Sequence, residues 1–354
     1  LTNGKEMVDN EYEEFISEEL EKGNSFFIFM SKEASALSSC CRLKNNISDK
    51  IHEFSYTLGA GGVSTGSINV ITMNLNRIIQ KANNNKENII ETVKYYTQLI
   101  HKFQIAYRDI INDYKENKML PVYDSGFISL DRQFLTIGIN GLVEAAEFLG
   151  LEISNNKEYK KFIESILKTI ADENKLANKN TGFKFNTEFV PAENLGVKNA
   201  KWDKKDGYIT KRDCYNSYLY KVEDDSISVL DKFILHGSQF MKYLDGGSAY
   251  HCNLDDYPTK ETFKKLLKVA AKEGCEYFCF NIKITICNDC GHIDKRTNQI
   301  CSKCGSKNID YATRIIGYLK RISSFSSSRQ KEHNLRFYAN EKYRFSSTDL
   351  VGVE

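Results

Sequence analysis

The chain has 354 residues, of which 41% are hydrophobic and 12% aromatic, and its formal net charge is +2. This composition excludes an intrinsically disordered chain, and the near-neutral charge gives no ground for nucleic acid or an acidic membrane as a partner of the chain as a whole. No apolar run reaches the ~18 residues that a membrane span needs. The polar start Leu1-Thr2-Asn3-Gly4-Lys5-Glu6 carries no secretory h-region, and without an initiator Met it reads as the continuation of a longer chain. Ten cysteines in a chain of this length are too sparse for a disulfide scaffold, so reduced thiols in a cytoplasm are expected.

In chain order, residues 8–22 read as an acidic surface helix, and Ser25 to Met30 as a strand. Ser38-Ser39-Cys40-Cys41-Arg42-Leu43 follows. Gly59 to Gly66 holds four glycines among small polar residues, a loop where backbone turns sharply or approaches something closely. Ile68 to Leu75 is strand-like. Residues 86–116 predict a long helix in which Val93, Tyr96, Ile100, Phe103, Tyr107, Ile110 and Tyr114 form one apolar stripe, expected to pack on a core. Further helices are predicted over 157–175 and 259–273, the latter presenting Phe263, Leu266, Leu267 and Ala270 on one face. Phe278, Phe280, Ile282, Ile284 and Ile286 then alternate with Cys279, Asn281, Lys283 and Thr285, which predicts a strand with one buried face. Helices interspersed with single strands imply an α/β fold.

That strand runs into Cys287-Asn288-Asp289-Cys290, and ten residues later comes Cys301-Ser302-Lys303-Cys304. Two residues between cysteines let both thiolates of a turn face one ion, and Gly291 and Gly305 permit the tight backbone after each pair. Four thiolates close a tetrahedral shell with no open position, so the spacing predicts a structural zinc ribbon rather than a catalytic metal. Beyond it lies Arg314-Ile315-Ile316-Gly317-Tyr318-Leu319, an apolar stretch with a lone glycine that is by itself compatible with a bulge.

Arg314 to Leu319 placed after a four-cysteine ribbon resembles the glycyl-radical loop of the anaerobic (class III) ribonucleotide reductases. Lys320-Arg321-Ile322-Ser323-Ser324-Phe325 and Arg329-Gln330-Lys331-Glu332 are similar to that family's tail, and Asn281 to Cys290 to its approach to the ribbon. Val190-Pro191-Ala192-Glu193-Asn194-Leu195 and Ser39-Cys40-Cys41-Arg42 resemble its active-site motifs, so the likeness covers about residues 25 to 338. The residue types suit the chemistry. Only glycine offers a planar Cα on which a backbone radical is stabilised, a thiol is a good hydrogen-atom donor, and a carboxylate handles the proton of a departing hydroxyl.

The resemblance implies part of a ten-stranded α/β barrel over 1–286, the zinc ribbon over 287–310, and a glycyl-radical loop with C-terminal tail over 311–354. It implies that Gly317 stores the radical, and that Cys41, or its neighbour Cys40, is the thiyl that takes the ribose 3′-hydrogen. Glu193 would handle the hydroxyl proton, with Asn194 and Ser67 contacting substrate. A radical-SAM activase with an iron–sulfur cluster would install the radical. The substrate would be a ribonucleoside triphosphate, the reductant formate or a thiol system, the assembly a homodimer, and the purpose deoxyribonucleotide supply for DNA synthesis and repair. Family members are about twice as long and begin with a regulatory nucleotide-binding cone, which is not here. Where formate-using members carry an Asn after the radical cysteine, this sequence has Ser67, with Asn69 two positions on, which favours a thiol. Two other readings compete: another glycyl-radical enzyme of lyase type, and a zinc-ribbon module that binds nucleic acid through Lys283, Lys303, Lys307, Arg314, Lys320 and Arg321.

Overall fold

The computed structural model describes residues 2–3, 6–31, 36–38, 44–46, 66–190, 194–314 and 319–339. The first part of the chain folds as α1 (Asn10–Glu21), β1 (Phe27–Phe29), β2 (Ala36–Ser38), β3 (Lys44–Asn46), β4 (Gly66–Asn74), α2 (Leu75–Asn84) and α3 (Ile89–Glu116). There follow α4 (Pro121–Asp124), β5 (Gln133–Asn140), α5 (Leu142–Phe148), α6 (Lys157–Thr181), β6 (Lys184–Phe189), α7 (Leu195–Lys205), α8 (Val229–Leu235) and α9 (Ser238–Met241). The last part holds β7 (Tyr250–Leu254), α10 (Lys260–Glu273), β8 (Tyr277–Ile282), β9 (Ile284–Cys287), β10 (Ile293–Asp294), β11 (Ile309–Arg314), β12 (Leu319–Arg321) and α11 (Ser327–Leu335). Helix limits follow local chemistry. Asn88, Asn156 and Thr259 accept first-turn backbone N–H bonds at the starts of α3, α6 and α10. Gly182 and Gly274 end α6 and α10 in the left-handed region.

Strands β4, β5 and β6 form a parallel sheet. A bridge between Glu188 and Gly247 carries the run on towards β7, which lies parallel to β8, and β1 closes the edge of β8 antiparallel. Gly246 N–H donates to Thr187 O at 2.8 Å, and Phe189 N–H to Gly247 O at 3.0 Å, stitching β6 to the loop before β7. A side chain at Gly246 would meet the Thr187 carbonyl at 2.7 Å, so the close approach requires glycine there. This is a mixed α/β fold, as the sequence implies.

The two faces of this run differ in chemistry. Ile137, Ile139 and Phe189 belong to the apolar core that includes Ile163, Ile166 and Ile170 of α6. Strand register sets Thr72, Gly138 and Glu188 side by side on the other face, and Val70, Thr136 and Asn186 in the next row. In β7 and β8, Tyr250 and Phe280 pack outward on Phe233 of α8 and Phe263 of α10, ring centroids 4.9 Å apart in each pair. The alternate positions His251, Cys279, Asn253 and Asn281 pair in register and are buried.

Two expectations are corrected here. The alternation over 278–286 was expected to leave one face open. Instead the strand breaks at Lys283, and in β8 Cys279 and Asn281 are buried as completely as Phe278. The alternation separates an apolar face from a polar one, both enclosed. Helix α3 buries Val93 and Ile100, but Phe103 is 63% exposed, and Tyr107, Ile110 and Tyr114 are exposed too. At 28 residues the helix is about 42 Å long, against about 30 Å for the nine-residue β4. Gln104 still bonds the Thr136 carbonyl of β5 and Arg108 still lies over the Phe183 ring, but the last two turns present Ile110 and Tyr114 to solvent.

Candidate functional site

The ribbon is built on an antiparallel sheet, β10-β9-β11-β12, which brings the two cysteine turns together. Cys287 and Cys304 sulfurs lie 3.6 Å apart, Cys290 and Cys301 3.7 Å, and all four lie within 4.8 Å of one another. A tetrahedral zinc with ~2.3 Å bonds to sulfur separates its ligands by about 3.8 Å, so the four fit one ion. Cys290 N–H points at the Cys287 sulfur and Cys304 N–H at the Cys301 sulfur, each at 3.5 Å. Such donors stabilise thiolate, and the Cys304 N–H is the main cause holding the Cys301 thiol down at about 6. Gly291 and Gly305 take φ of 71° and 72°, the left-handed turn that each knuckle needs. Asp289 accepts from Ser306 and Asn308, and Asp294 from Asn298 and Ser302, fixing the outer turns. With four thiolates and no open position, the centre suits a structural role.

Beyond the ribbon, Arg314 pairs with Leu319 across β11 and β12. These two residues bracket 315–318, so the glycine expected to carry the radical, Gly317, lies outside the described residues, as do Cys40, Cys41 and Glu193. Strands β2 and β3 pair antiparallel with Ser38 opposite Lys44, which brackets the segment holding both cysteines. Asn194 is exposed at the start of α7 and makes no side-chain capping bond. Since Asn199 of α7 donates to Asn140 at the end of β5 at 3.0 Å, Asn194 sits at the C-terminal end of the parallel sheet. Ser67 lies at the opposite end, near the start of β4, with its hydroxyl on that of Thr136. The structure does not bring Asn194 and Ser67 together. Of the loop Gly59 to Gly66, only Gly66 is described.

The end of β11 that leads to residues 315–318 is docked on the polar face of the sheet. Asn281 of β8 bonds both backbone groups of Arg314, the Arg314 side chain reaches Ser25, and its guanidinium lies 5.3 Å from the centre of the Phe27 ring. Tyr338 OH contacts Thr313 Oγ1 at 3.2 Å, and Arg336 donates to the Arg314 carbonyl at 3.3 Å. Elsewhere on that face His251 Nδ1 meets Tyr218 OH at 2.9 Å. Asn186 is buried with neither amide atom bonded. Asp245 accepts from Thr187 N–H at 3.0 Å, and burial pushes its carboxyl above the usual range against that pull.

Sequence reasoning missed Asn253 of β7 and Asn281 of β8, because a polar residue alternating in a strand normally faces water, and Arg336, because an arginine just past a helix end normally does so too. For the two asparagines the signal was the run of apolar neighbours on both sides, which marks a central strand. The basic residues of the ribbon do not form one free face. Lys283 lies over the Tyr338 ring, Arg314 over Phe27, and Arg321 bonds Asn288. None of the described helices is long and apolar enough to cross a membrane.

A family model described as anaerobic ribonucleoside-triphosphate reductase matches residues 3–338. A solved anaerobic ribonucleotide reductase is 28% identical with a TM-score of 0.81, the match covering 96% of this chain and 54% of that one. The anaerobic ribonucleotide reductase of Thermotoga maritima in complex with dATP and CTP is 30% identical, with a TM-score of 0.77 and coverage of 95% and 54%. The same enzyme with glycerol in the active site gives 30% and 0.77, covering 94% and 54%. The chain thus spans about half the length of the solved structures it matches. The comparison with curated proteins returned no match.

Proposed function

The chain belongs to the anaerobic ribonucleoside-triphosphate reductase family, and from that membership we propose that it provides the catalytic half of an enzyme reducing ribonucleoside triphosphates to deoxyribonucleotides by a glycyl/thiyl relay. The match over residues 3–338 supports this reading, since it spans the stretches that resemble the active-site motifs, the four-cysteine ribbon and the segment holding Gly317. The described run β4-β5-β6-β7-β8 would be half of a ten-stranded barrel, with its buried polar face turned inward. The units of the chain would be the barrel portion 1–286, the ribbon 287–310 and the loop and tail 311–354.

In this reading Gly317 stores the radical and takes a hydrogen atom from Cys41, or from Cys40, leaving a thiyl. The thiyl removes the ribose 3′-hydrogen, and the 2′-hydroxyl leaves as water with a proton, while Glu193 manages the neighbouring hydroxyl proton. Two electrons come from formate, oxidised to carbon dioxide, or from a dithiol, oxidised to a disulfide. The thiol then returns the 3′-hydrogen and the radical goes back to Gly317. Asn194 and Ser67 would contact substrate from opposite ends of the parallel sheet. Zinc bound by Cys287, Cys290, Cys301 and Cys304 would supply no chemistry, only the fold of the turn before the glycine loop. A radical-SAM activase would install the radical, in a cytoplasmic homodimer.

The matched reductase holds dATP and CTP, so CTP is a suitable probe substrate. The activated full-length protein is expected to give a glycyl-radical EPR doublet and dCTP, both lost in G317A. A doublet that persists in G317A would sink the assignment of Gly317. A doublet without any deoxynucleotide product would favour the lyase reading.

A further inference from the structure

We propose that Asn281 is a positioning residue for the glycine loop: its carboxamide fixes the point at which β11 hands the chain to residues 315–318. The proposal rests on the role given above to Gly317. Its physical basis is a gap in the sheet. The ladder between β9 and β11 ends at Ala312 opposite Ile284, because the chain breaks stride at Lys283 between β8 and β9. Two residues further on, Arg314 has no backbone partner on that side. The Asn281 side chain supplies one. Its Oδ1 accepts from Arg314 N–H at 3.0 Å and its Nδ2 donates to Arg314 C=O at 2.8 Å. One carboxamide thus reproduces both bonds of a ladder pair, on the last described residue before the loop.

The remaining capacity of the amide is also used. Nδ2 donates its second hydrogen to Asn253 Oδ1 at 2.7 Å, and Oδ1 accepts a second bond from Thr313 Oγ1 at 3.1 Å. An asparagine amide has two donor hydrogens and two acceptor lone pairs, so all four positions are filled. Turning the amide over would set its oxygen against Asn253 Oδ1 and the Arg314 carbonyl, so only one orientation satisfies the network. Asn281 is completely buried, which removes water as a substitute partner. From the other side Arg336, itself buried and paired with Glu332 at 2.6 Å, donates to the same Arg314 carbonyl. The peptide leading into the loop is therefore held from β8, and through Asn253 from β7, in addition to its place in the ribbon sheet.

The consequence concerns distance rather than stability. Hydrogen-atom transfer needs near-contact of donor and acceptor, and a misplacement of about 1 Å costs roughly 100-fold in rate. N281D keeps the shape and the acceptor oxygens but removes both donors. T313V removes one of the four bonds that orient the Asn281 amide and so loosens its hold on Arg314. In the activated full-length protein, N281D is expected to lower CTP turnover per glycyl radical by roughly 100-fold, with radical amplitude and zinc content unchanged. T313V should show a smaller loss in the same direction. Turnover per radical at the wild-type level in N281D, or turnover falling only in step with radical or zinc, overturns the proposal. If N281D does not fold, T313V decides alone, and wild-type turnover per radical in T313V overturns it. Absence of any glycyl radical in the activated wild-type protein removes the reductase reading and this one together, whereas a healthy wild-type radical with insensitive variants removes only this one.

Discussion

The parallel sheet β4–β6 and the ribbon sheet β9–β12 are held together by different forces. In the first, Ile137, Ile139, Ile163, Ile166 and Ile170 have no exposed surface, and each buried side chain of this size contributes about 1.5–3 kcal/mol. In the second, apart from Cys287, only Ile286 and Ala312 are buried apolar residues of β9–β12, while Ile293, Ile300 and Leu319 face solvent. The ribbon replaces a core with four thiolates and a set of turn hydrogen bonds. One region is stable by burial under any conditions in which the chain folds. The other, on the zinc proposed for its four cysteines, would be stable only with that metal bound, yet it carries the strand pair that brackets residues 315–318.

Removing the metal should break that comparison most sharply. Structural zinc contributes on the order of 10 kcal/mol to small domains that lack a core. A strong chelator, or C290S, should abolish hydrogen-exchange protection of the amides of Cys287, Gly291 and Gly305, which bond within the ribbon turns. Protection at Ile137 and Ile139 should persist. Equal loss in both regions would mean that the ribbon is part of one cooperative unit with the sheet.

The next effect in size is polar but lies in the burial-held region. Asp203 of α7 has no exposed surface. It accepts from Asn74 at 2.9 Å, Asn76 at 3.0 Å, Arg77 Nε at 2.7 Å and Tyr215 OH at 2.6 Å. It fastens α7, which starts at Asn194, to the end of β4 and to α2. D203A leaves these donors unpaired and should cost about 3 kcal/mol, the lower end for breaking a buried pair because Arg77 is partly exposed. Urea unfolding measures this, and zinc stoichiometry should not change. A loss below about 1 kcal/mol would show that water replaces the carboxylate.

These two sites mark what the sequence made legible. The four-cysteine cluster could be read because a C-x-x-C pair is a local pattern: ligand spacing, knuckle glycine and turn lie within a few residues. Helices α3, α6 and α10 could be read because period and cap are local as well. Asp203 and Asn281 could not, since their partners lie as far away as Asn74 and Arg314. A single sequence does not show whether a polar residue finds such a partner or faces water. The exposed part of the α3 stripe was misread for a related reason. Periodicity gives the direction of an apolar face, but not where along the helix its neighbour ends.

The pH response should separate the two regions further. Glu144 of α5 is buried and accepts from Asn216 N–H at 3.0 Å and Nδ2 at 2.8 Å. Burial, opposed mainly by Arg212, raises its carboxyl to about 7. Its folded value thus lies above the unfolded one, so its contribution is fully present below pH 4.5 and is lost as pH rises through about 7. Wild-type stability relative to E144Q should fall by roughly 2–3 kcal/mol over that window. The ribbon should respond the opposite way, because protons compete with metal for thiolates and acid releases zinc. Parallel urea titrations and zinc-release assays from pH 4.5 to 8 check both signs. A wild-type curve parallel to that of E144Q would show that Glu144 stays ionised when buried.

The smallest expected effect tests where burial stops along α3. Ile100 is buried and Phe103 is 63% exposed, three residues apart on one helix. I100A should cost about 2–5 kcal/mol, as buried isoleucine truncations do. F103S should stay within about 0.5 kcal/mol, the usual range for surface substitutions. Thermal melts of the two variants under identical conditions give the ratio directly. If F103S instead costs as much as I100A, the C-terminal half of α3 is covered in the folded protein, and the apolar stripe read from the sequence would be core along its whole length.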